Sequence, residues 1–177
     1  MHLLHTIQTP RLLLVPATTP LVRAELDGRD ALARAIGAPL AADWPPEHWD
    51  EGVLRWLLDA AAKPGFDPAW PGFYLVLRDP MPGLVIGTAG FKSPPDAQGV
   101  VELGYGVVPS HQRRGFASEA TRAMIDHAWK HPRTQRVDAE TYPDHTPSLG
   151  VMRACGMTFL GPGLEQGTVR YGIVRPA

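Results

Sequence analysis

The sequence predicts a mixed α/β domain. Three observations carry this: helical apolar periodicity ahead of Gly65, extended β-branched and aromatic runs from Phe73 onward, and a strand-helix-strand unit between Val100 and Tyr142. Arg11 to Val15, stopped by Pro16, has the length and punctuation of a first strand, although four apolar residues in a row also fit a helix. Leu21, Val22, Leu26, Leu32 and Ile36 fall at mixed helical spacings around Gly28, which predicts two short helices or one broken helix, closed by Pro39. Val53, Leu54, Leu57, Leu58 and Ala61 form one amphipathic face, ended by Pro64-Gly65.

Phe73 to Arg78 and Leu84 to Phe91 then read as a hairpin around Asp79 to Gly83, and a strand from Val100 to Val108 follows Ser93 to Asp96. Links this short predict antiparallel pairing, because a parallel pair needs a crossover of about a dozen residues or more. Such a crossover comes next. Ala117, Ala120, Met124, Ile125 and Ala128 give a helix stopped by Pro132, and Val137 to Tyr142 gives a strand parallel to Val100 to Val108. The sheet is therefore mixed. A last helix is expected with Thr146 as N-cap, Pro147 at its first position and Gly156 just past its end, before closing strands at 157 to 160 and 169 to 174.

Composition narrows the function. With 19 Pro and 18 Gly spread along 177 residues rather than pooled, the chain is punctuated by turns and has no low-complexity linker. A net charge of -1 gives no global field toward nucleic acid or an anionic membrane, so any polyanion must be held locally. The single Cys155 cannot close an intramolecular disulfide, and Met1 to His5 lacks a charged leader and apolar stretch. A soluble cytoplasmic protein is the expectation, as a monomer or homodimer. No Cys or His pair has zinc-ligand spacing, so no metal is expected.

The local polyanion site is Gln112-Arg113-Arg114-Gly115-Phe116-Ala117, between the strand ending at Val108 and the next helix. The first N–H groups of a helix have no internal partner and carry about half a positive charge, so an oxyanion docks there favourably. Gly115 lets a phosphate approach the backbone, and Arg113 and Arg114 can add charge-assisted bonds. On these six residues alone, a solvated arginine face and an ordinary turn fit equally well. The loop matches neither G-x-x-x-x-G-K-[ST] nor G-x-G-x-x-G, so the two commonest phosphate cradles are not supported.

This loop resembles the acetyl-CoA motif [QR]-x-x-G-x-[GA] of the GCN5-related N-acetyltransferase (GNAT) superfamily. The likeness runs through nearly the whole chain, from Thr9-Pro10-Arg11-Leu12 through Glu102-Leu103-Gly104-Tyr105 and Pro109 to Cys155-Gly156-Met157. Ala117-Ser118-Glu119-Ala120 looks most like the ribosomal-protein N-terminal acetyltransferase branch of RimJ and RimL. The resemblance implies a mostly antiparallel twisted sheet of about seven strands with helices on both faces, whose fourth and fifth strands splay apart around the pantetheine arm. It also implies one acetyltransferase domain over 1–177, with acceptor-side helices at about 20–64, an acetyl-CoA-binding core at about 72–160 and closing strands at about 157–174. Backbone groups of Val107 and Val108 would hold the arm. Arg113 to Ala117 would cradle the pyrophosphate, with Gln112 and Ser118 beside them, and His145, near the place where relatives carry a cofactor-bonding Asn, would supply that hydrogen bond, against the commoner fate of an exposed loop histidine.

Amide formation from a thioester needs a neutral amine, a polarised carbonyl and a proton for the thiolate. Glu102, by alternation on the face of Gly104, Gly106 and Val108, is the candidate general base, against the commoner fate of an exposed strand carboxylate. A backbone N–H at Val108 or its neighbour is the expected carbonyl polariser. Relatives place a general-acid Tyr where Met152 stands, which leaves Ser148 as the nearest hydroxyl, against a simple helix-capping role. Trp44, Trp49, Trp56 and Trp70 concentrate on the acceptor side; they could wall an amine pocket, with Trp56 expected in the core. The expected activity is acetyl transfer from acetyl-CoA, with no metal, to a primary amine such as a protein N-terminus. Transfer to a polyamine, amino acid or aminoglycoside, and a CoA-binding sensor without turnover, are the alternatives.

Overall fold

The computed structural model describes residues 6–176, so the expectation for Met1 to His5 lies outside it. Strands β1 (Ile7–Gln8) and β2 (Leu12–Pro16) precede helices α1 (Thr19–Leu26), α2 (Arg29–Ile36) and α3 (Glu51–Ala62). Strands β3 (Gly72–Leu77), β4 (Leu84–Phe91) and β5 (Val100–Val107) lead to α4 (Phe116–Trp129). Then come β6 (Arg136–Thr141), α5 (Thr146–Ala154), β7 (Thr158–Pro162) and β8 (Val169–Val174). The strands form one sheet in the order β1-β2-β3-β4-β5-β6-β8-β7, antiparallel except for the β5–β6 pair.

The sheet thus has eight strands where about seven were expected. The addition is β1, whose two residues pair with Leu13 and Leu14 and are too short to leave a periodic signal. Gly28, at φ 122°, breaks the first helical segment into α1 and α2. Thr146 is the first helical residue rather than the cap: His145 is the N-cap, and the Thr146 hydroxyl donates back to Asp144 O at 3.3 Å.

Alternation sorts the strands between two cores. Leu12, Leu14, Phe73 and Leu75 point toward α4 and α5, where Phe116, Ala120, Met124, Leu149 and Met152 close the larger core. Tyr74 and Val76, with Leu13 and Val15, point the other way and pack with Leu32, Leu40 and Val85. That second face carries α1 to α3. It is anchored by Glu25, whose carboxylate accepts from Trp44 Nε1 (2.9 Å), Trp49 Nε1 (3.1 Å) and the Tyr74 hydroxyl (2.7 Å). Burial and this neighbouring carboxylate push the Tyr74 phenol far above its ordinary pKa, so it stays a donor.

Candidate active site

The site begins where β5 and β6 part. Their parallel pairing covers Val100–Arg136, Val101–Val137 and Glu102–Asp138 and then ends. Beyond it, β5 continues beside β4 alone, as Gly104↔Gly90, Tyr105↔Ala89, Gly106↔Thr88 and Val107↔Gly87. Backbone polar groups of successive strand residues point to opposite neighbours. Glu102 O accepts from Lys92 N at 2.8 Å and Val108 N donates to Ile86 O at 2.9 Å, so both belong to the β4 side. Tyr105 and Val107 therefore turn their backbone groups into the gap. Of the expected carbonyl polariser, Val108 or its neighbour, the Val108 N–H is already bonded to Ile86 O, whereas its neighbour Val107 turns its N–H into the gap.

At the end of the gap the chain makes a short 3-10 turn at Pro109–His111 and enters the loop. The Gln112 side-chain amide donates to Val107 O at 2.8 Å, locking the loop to the strand end. Arg113 (φ 59°) and Gly115 (φ 81°) are both left-handed. Such kinks turn consecutive N–H groups inward as an anion-binding concavity. The first helical hydrogen bond runs from Glu119 N to Gly115 O at 3.0 Å, which leaves the N–H groups of Phe116, Ala117 and Ser118 for a ligand. A Cβ on Gly115 would lie 3.3 Å from Arg11 Nη2 besides straining the backbone.

The loop is braced from behind. Glu119 accepts from the Thr9 hydroxyl (2.6 Å), Arg11 N (2.8 Å) and Arg11 Nε (2.7 Å). Burial raises its pKa, but these donors and the Arg11 charge outweigh burial and hold the carboxyl below its ordinary value. Arg11 and Arg114 lie over the Phe116 ring, 4.5 and 5.2 Å from its centroid.

A cavity of about 450 Å³ runs from this loop through the gap to α5. Of the residues singled out from sequence, Val107, Gln112, Arg113, Gly115, Phe116, Ala117, Ser118, His145 and Ser148 line it together. Arg114 does not, being stacked on Phe116; neither do Val108 and Glu102. His145 holds Thr141 Oγ1 through Nδ1 at 3.1 Å.

Two lining residues escaped sequence reasoning in different ways. Tyr105, 43 positions from Ser148, brings its hydroxyl within 3.1 Å of both Ser148 Oγ and Ser148 O. Burial pushes its phenol up to about 12, only partly offset by the Ser148 hydrogen bond, so the phenol is protonated at neutral pH. Glu47 also reaches the cavity, from the segment between α2 and α3, where no local pattern marks it. Met152, at the position where a Tyr was sought, is buried in the core beneath α5.

Glu102 sits at the closed end of the gap. It is ion-paired with Lys92, and its Oε2 is 3.3 Å from Arg170 Nη2. Arg170 also reaches Asp138 Oδ2 (3.3 Å) and Glu140 Oε1 (2.8 Å), while Arg136 holds Asp138 at 2.7 Å. For Lys92, burial lowers the ammonium pKa, but Glu102 and then Glu165 raise it further, so the net shift is upward. Trp56, expected in the core, is instead 46% exposed, while Trp70 is buried. Among the described residues, no group of three or more His, Cys, Asp or Glu is placed to hold a metal, and no helix is long and apolar enough to cross a membrane.

The chain matches the family model for the acetyltransferase (GNAT) domain over residues 11–158. It is 26% identical to the uncharacterized N-acetyltransferase YjdG of Bacillus subtilis (strain 168), across 85% of this chain and 88% of that protein. With FsC-acetyl coenzyme A-N(2)-transacetylase of Aspergillus fumigatus it shares 28% identity, across 96% of this chain and 76% of that one. A match to the uncharacterized N-acetyltransferase p20 of Bacillus licheniformis reaches 35%, but spans only 45% of this chain and 44% of p20. Among solved structures, RimL, a ribosomal L7/L12 alpha-N-protein acetyltransferase, superposes with a TM-score of 0.66 over 97% of this chain and 94% of its own, at 16% identity. At that identity the likeness speaks for the fold.

Proposed function

The chain belongs to the GNAT acetyltransferase family, and on that premise we propose that it moves acetyl from acetyl-CoA to a primary amine, with a peptide α-amine as acceptor. The observation that carries this is the continuity of the gap: backbone at Tyr105 and the N–H of Val107, unpaired with any strand, lead directly to free N–H groups at Phe116 to Ser118. An arm with amides and a pyrophosphate at its end fits both. Residues 72–160 form the donor-binding core, and the helices between 20 and 64 shape the acceptor side.

Acetyl-CoA supplies the activated carbonyl. The amine lone pair forms the new C–N bond as the C–S bond breaks; the nitrogen gives up one proton to a base or to water, and the displaced thiolate takes one up. Ser148, held by Tyr105 on the wall of the cavity, is our candidate donor to the sulfur. Tyr105 positions Ser148 and refills its proton. The N–H of Tyr105 or Val107 polarises the carbonyl as its oxygen gains charge. Glu102 is the base candidate, but its carboxylate is already engaged by Lys92 and Arg170, which leaves little of it open to an incoming amine. That favours an acceptor needing little help: an α-amine, with pKa near 7.7 to 8.0, is partly neutral at physiological pH, whereas a lysine amine near 10.4 is not. The names of RimL and of the N(2)-transacetylase agree with amine acetylation.

A CoA-release assay on free-N-terminus peptides, lysine-containing peptides with blocked N-termini, polyamines and aminoglycosides tests this, beside calorimetric titration of acetyl-CoA. Release with the free α-amines is the expected result. Acetyl-CoA binding without release on any acceptor would leave a sensor, and absence of binding up to millimolar concentration would remove the donor assignment.

A further inference from the structure

A second cavity lies at the opposite end of β3 and β4 from the donor loop, under α1 and α3. Its volume is about 570 Å³, within the range of small-molecule and side-chain pockets. Its walls are apolar, with Val22, Leu57, Trp70 and Phe91 among them, and Trp56 and Phe66 line it while remaining 46% and 45% exposed. Two large aromatics left facing water beside an apolar hollow gain when something apolar covers them.

Two features tie this hollow to the point where β5 and β6 part. Lys92 lines the cavity and is ion-paired with Glu102, at the last rung of the β5–β6 pairing. In addition, Gly72, Gly90 and Gly104 stand in register across β3, β4 and β5. Gly72 lines the cavity; Gly104 is the first residue on the same face beyond that last rung, and a Cβ there would meet nothing within 4 Å. Along the row Gly104 is exposed and Gly90 half-buried, and the row ends at the buried Gly72, where the side chains of Leu57 and Ala17 begin the wall of the hollow. Two interstrand steps make the row about 10 Å long. An extended peptide covers that distance in about three residues, whereas an amine two carbons from a ring does not.

We propose that this cavity receives a large apolar side chain at the third residue of an acceptor peptide whose α-amine lies over Gly104. The assignment rests on the acetyl-transfer function proposed above and adds a sequence preference to it.

The test compares CoA release from Ser-Gly-Phe, Ser-Gly-Leu, Ser-Gly-Gly and Ser-Gly-Asp amides and from phenethylamine. It uses the intact chain and a W56A/F66A double variant, with thermal unfolding and acetyl-CoA affinity as folding controls. We expect kcat/KM about tenfold or more higher for the Phe and Leu peptides, and a ratio within about twofold in the double variant. Equal rates for all four peptides would overturn the cavity assignment while leaving acetyl transfer standing. Phenethylamine matching Ser-Gly-Phe would overturn the spacing. Should no amine react, calorimetry with the N-acetylated peptides in the presence of CoA decides separately. Tighter binding of the Phe and Leu forms would keep the cavity and remove the transfer function, and equal binding would remove both.

Discussion

The two halves of β5 meet β6 under opposite conditions. From Val100 to Glu102 the strand is paired, and Glu102, Asp138 and Glu140 interlock with Lys92, Arg136 and Arg170 on one face. From Gly104 to Val107 the pairing stops, Gly104 leaves that face bare while Gly106 lies under Pro46 and Glu47, and the first turn of α5 reaches across the gap through Tyr105 and Ser148. Buried charges tolerate little displacement, because each one freed of its partner is left desolvated. A charged clamp therefore fixes how far the sheet can open, and a glycine-lined half decides what can enter. Closure and access are separate properties of one strand.

Disabling the end of the access half should have the largest effect. G115V places a branched side chain on a left-handed residue against Arg11, and acetyl-CoA affinity measured by calorimetry should fall more than about a hundredfold while far-UV circular dichroism is unchanged. Next comes the clamp. Burial raises the pKa of Glu140, but Leu164 N–H, Arg170, Glu165 N–H and the Thr168 hydroxyl overcome it and hold the carboxyl at about 2. A depressed folded-state pKa stabilises above the unfolded value near 4.5, and that stability is lost as pH falls toward about 2. E140Q should thus cost at most about 3 kcal/mol at pH 7 in urea unfolding, with the deficit vanishing in acid.

A smaller effect is expected at the Tyr105–Ser148 pair. Y105F and S148A should each lower kcat by about tenfold with KM for acetyl-CoA within about twofold, and the double variant should lose little more than either, because the two act as one unit. Unchanged kcat in both would return the proton donor to the solvent. The smallest effect is on the clamp's own carboxylate. E102Q should slow an α-amine acceptor by less than about tenfold, against about a hundredfold for a lysine amine, and equal losses on both would mean that Glu102 is a full general base.

The parts legible in the sequence are those fixed by local geometry. Gly115 ahead of an apolar helical face announces a helix N-terminus open to an anion, and Gly28 announces the break between α1 and α2. Glu102 was also placed correctly on the face of Gly104 and Gly106, since alternation needs only the strand. What stayed hidden depends on neighbours. Whether Val107 or Val108 faces the gap is decided by Ile86, in the preceding strand, and the meeting of Tyr105 with Ser148 spans a helix and a strand. Trp56 misled because it shares α3 with Leu54 and Leu57, and only the hollow beneath that helix explains its exposure.

The parting of β5 from β6 leaves an interior edge in the middle of a sheet, with the donors and acceptors of Tyr105 and Val107 facing no strand. Edges of this kind seek a partner, and in most proteins that partner is another polypeptide. Under the proposed function the sheet would be completed by a molecule rather than by the chain, and the fold and its ligand would share a structural element. Occupancy should then be visible as mechanical continuity between the two halves of the sheet. The amides of Tyr105 and Val107 would exchange with deuterium at rates set by free acetyl-CoA, while those of Val101, zipped to Val137, would keep the same slow exchange throughout.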